Sequence, residues 1–229
     1  MSEKNLLSDL AAYLYASSSA ESGRTPSERE LAETFAVSRG QIRETLAVLE
    51  AMRIVERRAK SGIFLTSRFA SVDAMALFAK AGLPLDPIQI YETVELRKIH
   101  EIKAAELASS RATEDNFDRL RGILERSETR LASGQHLGEE DRDFHLEIVR
   151  ATQNTVFYNV CSVYYAMGVR RLPIYFSDPA RGQQSHTEHI QIFEALRRRD
   201  ANLAQALMSS HLQGAEGYWK GLITGQIES

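Results

Sequence analysis

The sequence predicts a mainly α-helical protein in two parts: an N-terminal winged helix-turn-helix with a small two-stranded wing, then an all-α antiparallel bundle of six or seven helices. Three observations predict it. Two short amphipathic segments, each opened by a serine, flank a turn near residue 37, and two β-prone stretches follow around a glycine turn. From residue 88 onward, apolar residues recur three or four apart with no strand-like alternation.

Taken in order, residues 5 to 16 place Leu6, Leu7, Leu10, Ala11 and Leu14 on one helical face, and the small, polar run Ser17 to Arg24 ends that helix. Thr25-Pro26-Ser27-Glu28 opens a second helix, with Ser27 as N-cap and Glu30 completing a capping box, and with Leu31, Ala32 and Phe35 as its buried face. The chain restarts at Ser38, a second N-cap, and runs through Ile42, Leu46 and Leu49. That is helix-turn-helix spacing. Ile54 to Arg58 and Ile63 to Thr66 are β-prone around the turn Lys60-Ser61-Gly62, which makes a wing. Ala74 to Ala81 fits a short helix, and Gly82, Pro84 and Pro87 mark a break. The expected organisation is therefore a DNA-binding type of domain over 1–68, a linker over 69–87 and a helical domain over 88–229. The latter's helices are expected at 88–111, 114–133, 138–152, 155–172, 183–199 and 201–223, separated at Thr113, Gly134, Asn154, Pro173, Pro179 and Asp200.

At 229 residues, 43% hydrophobic and 26% charged, the chain can bury two cores. Charges interrupt every apolar run before it reaches the roughly 18 residues of a membrane span, and the N-terminus lacks a basic region followed by an apolar one, so a cytoplasmic protein is expected. Cys161 is the single cysteine, which excludes an intramolecular disulfide; its apolar and aromatic surroundings fit a buried structural thiol. The net charge of −3 argues against blanket coating of nucleic acid. Yet residues 24 to 68 carry nine Lys/Arg against six Glu, a local +3 that leaves −6 elsewhere. Because salt confines each charge to about 8 Å, the local excess governs docking on phosphates.

A recognition helix needs a short polar start, cationic side chains that reach guanine or phosphate, and an apolar rear face. Ser38, Arg39, Gly40, Gln41 and Arg43 supply the first two, and Ile42, Leu46 and Leu49 the third. Charge alone leaves Arg39 and Arg43 equally readable as solvated helix residues. The longer string from Pro26-Ser-Glu-Arg-Glu-Leu-Ala-Glu through Val37-Ser-Arg and Ile42-Arg-Glu, then Ile54-Val-Glu and Ser61-Gly-Ile-Phe, closely resembles the DNA-binding domain of the GntR family of bacterial transcription regulators over roughly residues 25 to 66. The resemblance implies DNA contacts by Arg29, Ser38, Arg39, Gln41 and Arg43. It places Gly62 at a wing tip entering the minor groove, with Arg39 and Arg43 reading bases and Arg29 on phosphate. The run Ser17 to Thr25 departs from the family's Ile/Leu-rich approach to this domain.

Asp141 and His145 are four apart, so a helix projects them from one face, where such a pair can grip one ion. His189 and His211 lie on the last two predicted helices, which a bundle can turn inward. A nitrogen-rich set with one carboxylate suits Zn²⁺, Ni²⁺, Mn²⁺ or Fe²⁺, with Zn²⁺ or Ni²⁺ favoured. Spacing alone fits a simple helix-face pair better than an ion site, and does not choose between His186 and His189. The strings Asp141-Arg-Asp-Phe-His-Leu-Glu and Glu188-His-Ile-Gln-Ile-Phe-Glu, with the later His211-Leu, resemble the FCD effector domain of the FadR-type branch of that family. This implies a divalent metal held by Asp141, His145, His189 and His211. Glu95-Leu-Arg-Lys-Ile-His-Glu resembles the domain's first long helix and implies that Arg97 faces an effector cavity; the plain alternative is a surface Arg97–Glu101 pair. Tyr164, Tyr165, Arg170 and Tyr175 fit either the cavity or core and surface.

The resemblance therefore implies a non-enzymatic regulator: a homodimer on a palindromic double-stranded DNA operator, modulated by a small organic acid at the metal and Arg97. Two other readings compete. One is a metal-dependent hydrolase or lyase with a DNA-binding appendage, for which no well-placed general base is evident. The other is a regulator whose metal only braces the bundle.

Overall fold

The computed structural model describes residues 3–17, 23–59, 61–66, 71–81, 87–166 and 171–223. The chain divides into two compact units, Met1–Pro84 and Leu85–Ser229.

The first unit opens with α1 (Glu3–Ser17), whose Leu6, Leu10, Ala11 and Leu14 are buried as their spacing predicts. Helix α2 (Glu28–Phe35) starts at the expected capping box: Glu30 N donates to Ser27 Oγ at 3.4 Å, and Ser27 N donates to Glu30 Oε2 at 2.8 Å. It stops where Ala36 turns left-handed at φ 51°. Helix α3 (Arg39–Ala51) repeats the device with Ser38 and Gln41 and buries Ile42, Leu46 and Leu49. The wing is β1 (Val55–Arg58) paired antiparallel with β2 (Gly62–Leu65), in register from Val55 opposite Leu65 to Arg58 opposite Gly62. Gly62 takes φ +112°, a conformation that a Cβ would strain.

Two details depart from expectation. The segment before α2 adds to the wing: Thr25 N donates to Ile63 O at 2.9 Å and Leu65 N to Gly23 O at 2.7 Å. Residues 18–22 of the atypical approach run, and Lys60 of the wing turn, lie outside the described residues. Within the stretch read as a linker, α4 (Val72–Lys80) buries Ala74, Leu77 and Phe78 in the same core as α1 and α3.

The second unit holds α5 (Pro87–Arg111), α6 (Glu114–Ala132), α7 (Gly138–Ala151), α8 (Thr155–Ala166), α9 (Arg171–Tyr175), α10 (Pro179–Arg197) and α11 (Ala201–Ile223). Paired side chains give the helix directions. Lys98 meets Glu216, Glu106 meets Gln205 and Arg199 reaches Ser109 O, so α5 and α11 run antiparallel. Asn116–Glu147 and Arg130–Glu140 set α6 against α7 in the same sense. By contrast, Arg97–Asp141 and Arg111–Thr152 run in step, so α5 and α7 are parallel. This levels Arg97 and Glu101 with Asp141 and His145. A Cβ on Gly182 would stand 3.2 Å from Leu131 Cδ2, which shows how closely α10 approaches α6.

A proline accounts for one correction. Pro179, expected to separate helices, instead begins α10 behind the N-cap Asp178, because a first-turn residue needs no intrahelical N–H donor. Of the helix expected over 155–172, residues 155–166 are helical as α8 and residues 171–172 as the start of α9. Arg170 falls between them, outside the described residues.

Candidate functional site

Helix α7 carries Asp141 and His145 on one inward face, α10 carries His189, and α11 carries His211. Their ligand atoms all lie within 4.8 Å of one another. His211 Nε2 is 3.2 Å from His145 Nε2 and 3.3 Å from His189 Nε2. Asp141 Oδ1 is 3.6 Å from Nε2 of both His145 and His189. A tetrahedral ion with nitrogen ligands at 2.0–2.1 Å has ligand-to-ligand edges of about 3.3 Å, so the quartet has the dimensions of a transition-metal cage. His186 is absent from this group; its ring is buried and its Nδ1 is without a hydrogen bond.

The far nitrogens fit the same use. His145 Nδ1 stands 2.7 Å from Glu101 Oε2, and His211 Nδ1 stands 2.6 Å from Glu188 Oε2. A carboxylate at Nδ1 draws the proton there and leaves the Nε2 lone pair for a cation. Two lone pairs and a carboxylate then converge with too few protons to satisfy them, an arrangement that a cation resolves. His189 is fixed differently, by stacking on Phe144 with centroids 4.1 Å apart.

Electrostatics keep His189 and His211 unprotonated, while His145 holds a proton that an ion must displace. Burial, then the His211 and His145 charges, push His189 well below the usual histidine range. Burial also lowers His211, against the Glu188 hydrogen bond. Burial lowers His145 too, but Glu101 and Asp141 hold it above its ordinary value. Asp141 stays well below the usual carboxylate range: burial raises it, and His145 and Arg97 overcome that.

Arg97 is buried, with Nε 2.6 Å from Glu101 Oε1 and Nη2 3.5 Å from Asp141 Oδ2. The pair with Glu101 is therefore part of the interior, and Nη2 is left without a hydrogen bond. Tyr165 OH donates to the same Glu101 oxygen. Burial raises Glu101, but Arg97 and His145 bring it down to about 2. Tyr164 is committed elsewhere, its OH donating to Thr93 O at 2.5 Å, and Tyr175 is half-buried. Cys161 is buried and pushed up to about 12, first by burial and then by Glu101, which suits an inert thiol.

On the first unit, Arg39, Gln41 and Arg43 are exposed along the start of α3. Ser38 and Gln41 also cap each other: Ser38 N donates to Gln41 Oε1 at 3.1 Å and Gln41 N to Ser38 Oγ at 3.2 Å, which leaves the Gln41 amide NH₂ outward. Arg29 is exposed, 4.0 Å from Glu33. Gly62 is exposed at the start of β2.

The Arg97–Glu101 pair is read from the sequence, though as a surface pair; what sequence reasoning missed is Glu188 beside His211 and the contacts of Glu101 with His145 and Tyr165. Glu101 and Tyr165 are 64 positions apart, so no local pattern signals such contacts.

A winged helix-turn-helix on the same chain as a helical unit with a buried donor cluster is the build of a DNA-binding regulator. Comparison with known proteins makes this specific. The family model "FCD domain" matches residues 92–214, and "Bacterial regulatory proteins, gntR family" matches residues 20–65. The chain belongs to the gntR family of bacterial transcription regulators and carries an FCD domain. The HTH-type transcriptional regulator LutR of Bacillus subtilis is 29% identical over 208 residues, covering 88% of this chain and 94% of the relative. The Uxu operon transcriptional regulator of Escherichia coli is 29% identical, over 84% of this chain and 77% of its own length. In fold, the chain resembles the solved structure of Lar, titled as controlling the agr system of Listeria monocytogenes, with TM-score 0.69 and 18% identity over 97% and 98% of the two chains. The relatives' names are those of regulators, which sets the hydrolase or lyase reading aside. Among the described residues, no helix is long and apolar enough to cross a membrane.

Proposed function

We propose that this regulator senses a small carboxylate at a divalent-metal site and transmits its presence to a DNA-reading dimer. The observation that carries the reading is the convergence of three imidazole Nε2 atoms and one carboxylate oxygen beside a buried Arg97 whose Nη2 lacks a hydrogen bond. Asp141, His145, His189 and His211 would hold the ion, with Zn²⁺ or Ni²⁺ the best match to three nitrogens and one oxygen. A bound ion with open positions supplies a Lewis-acid contact for one effector oxygen. Arg97 supplies the other contact: its guanidinium pairs with a carboxylate and balances the charge brought into the interior. Glu101 and Glu188 hold the imidazole protons on the far side, and Tyr165 fixes Glu101.

On DNA, Arg39 and Arg43 would read bases in the major groove, with Ser38 and Gln41 forming the polar start of the helix. Arg29 would contact phosphate and Gly62 would let the wing approach the minor groove. A homodimer on a palindromic operator matches the symmetry of two such modules. For the acid to act, it must favour one arrangement of the two modules over another. A purely structural ion is the second reading, favoured by the partners Arg97 already has in Glu101 and Asp141.

The test uses a duplex enriched from a random-sequence pool by the metal-loaded chain, titrated with small mono- and dicarboxylic acids. At least one acid should change DNA affinity, and Arg97→Lys should abolish its effect. If no acid changes either DNA affinity or the melting temperature of the metal-loaded chain, the effector class is wrong.

A further inference from the structure

Glu28 opens α2 on the surface that would face DNA, where a carboxylate repels phosphates. Its partners account for its presence there. Glu28 Oε2 accepts from both Nε and Nη2 of Arg43, at 3.3 Å each, and Oε1 lies 3.9 Å from Nη2 of Arg57. Arg57, in β1, is tied to α3 as well. Its Nη2 donates to Arg43 O at 3.4 Å, its backbone N donates to Glu50 Oε1 at 3.3 Å, and its Nε stands 3.7 Å from Glu50 Oε2. One carboxylate thus joins the start of α2, the reading face of α3 and the wing. All of these residues lie in the first unit.

Which edge of the Arg43 guanidinium is occupied decides what this contact does. A guanidinium has five N–H donors. Glu28 takes the side-on pair, Nε–H and one Nη2–H. The end-on fork, Nη1 with the outer Nη2 proton, stays open, and that is the fork that matches guanine O6 and N7. Glu28 therefore pins the plane of Arg43 without consuming its reading edge. A pinned arginine loses less rotamer freedom on binding and offers its fork in one orientation, which penalises a wrong base more than a mobile side chain does.

We infer that Glu28 is a positioning residue for sequence discrimination, acting through Arg43: it weakens binding to DNA in general and sharpens the choice among sequences. The inference rests on Arg43 reading a base.

The experiment uses the full chain and two fixed probes, a duplex enriched from a random-sequence pool by the wild type and an unrelated duplex of equal length. The readout is the ratio of the two affinities, from which any unfolded fraction cancels. Glu28→Gln should bind the unrelated duplex more tightly, because a negative charge is gone, and should lose about tenfold in the ratio. Glu28→Asp keeps the charge but is one methylene too short; it should lose the ratio without the gain in general affinity. In an Arg43→Ala background, adding Glu28→Gln should cause no further loss. A ratio unchanged by Glu28→Gln but lowered by Arg43→Ala overturns the role of Glu28 and leaves that of Arg43 standing. A ratio unchanged by Arg43→Ala overturns both. Losses that add in the double variant overturn positioning through Arg43.

Discussion

Replacing Glu101 with glutamine tests the logic of the helical unit most sharply, because the change is isosteric and replaces none of the four proposed metal ligands. Glu101 meets three demands with two oxygens: Oε1 accepts from Arg97 Nε at 2.6 Å and from Tyr165 OH, and Oε2 faces His145 Nδ1 at 2.7 Å. Glutamine has one oxygen for these donors. If its NH₂ faces His145, the imidazole must accept at Nδ1 and carry its proton on Nε2, the atom meant for the ion. If its NH₂ faces Arg97, two donors oppose each other. Loss of such an outer carboxylate lowers metal affinity by about 10- to 100-fold, or about 1.4 to 2.7 kcal/mol. Breaking a buried ion pair costs about 3–5 kcal/mol of stability, and Asp141 at 3.5 Å from Arg97 puts this case at the low end, about 3 kcal/mol. The assay is titration of the chain with Zn²⁺ in competition with a chromophoric chelator, at a temperature where both proteins are folded, beside thermal unfolding of each. Wild-type metal affinity in the variant would refute the reasoning, even with a lowered melting temperature, since that pairing marks a role in packing alone.

Three further outcomes follow from the same geometry. Chelation should lower the melting temperature of the second unit, monitored by circular dichroism, and Zn²⁺ should restore it. An ion at 1,000 times its Kd contributes about 4.1 kcal/mol, or about 10 °C for a unit of this size; no shift would mean that the quartet is not a site. Arg97→Lys keeps the charge that balances Glu101 and Asp141 but loses the planar fork, so calorimetry should find carboxylate binding weakened at least about tenfold with metal affinity nearly unchanged. Metal affinity should fall as pH is lowered, starting at a pH above the ordinary histidine value, because Glu101 and Asp141 hold the metal-free His145 above that value and the ion must displace its proton. A flat profile between pH 8 and 6, set as roughly the range around an ordinary histidine, would contradict this. For the fold itself the sign differs: Glu101 is lowered from 4.5 to about 2, so its stabilisation is complete above 4.5 and is lost as pH falls through that interval.

The sequence and the structure agree most closely where interactions are local. The capping boxes at Ser27–Glu30 and Ser38–Gln41 span three residues each, and the apolar spacings of α1 and α3 report buried faces directly. Asp141 and His145 are readable as a pair because one helical turn separates them. The choice of His189 over His186 came from resemblance and not from spacing, since both lie inward on α10; only the packing of α10 against α11 distinguishes them. Glu101 and Glu188 escaped because each serves a histidine on another helix, 44 and 23 positions away. Pro179 misled because a proline punctuates a helix interior but favours a helix start, and only the capping side chain of Asp178 settles which applies. Helix α4 was legible as a helix but not as part of the first unit, because its apolar face names no partner.

The most direct test of the central claim, that Asp141, His145, His189 and His211 hold one ion in the second unit, is elemental analysis of the purified full chain beside its His145→Ala and His211→Ala variants. The account predicts one divalent transition-metal ion per wild-type chain, largely lost in both variants. Metal-free wild type that gains none on exposure to Zn²⁺ or Ni²⁺, or variants that retain a full complement, would contradict it.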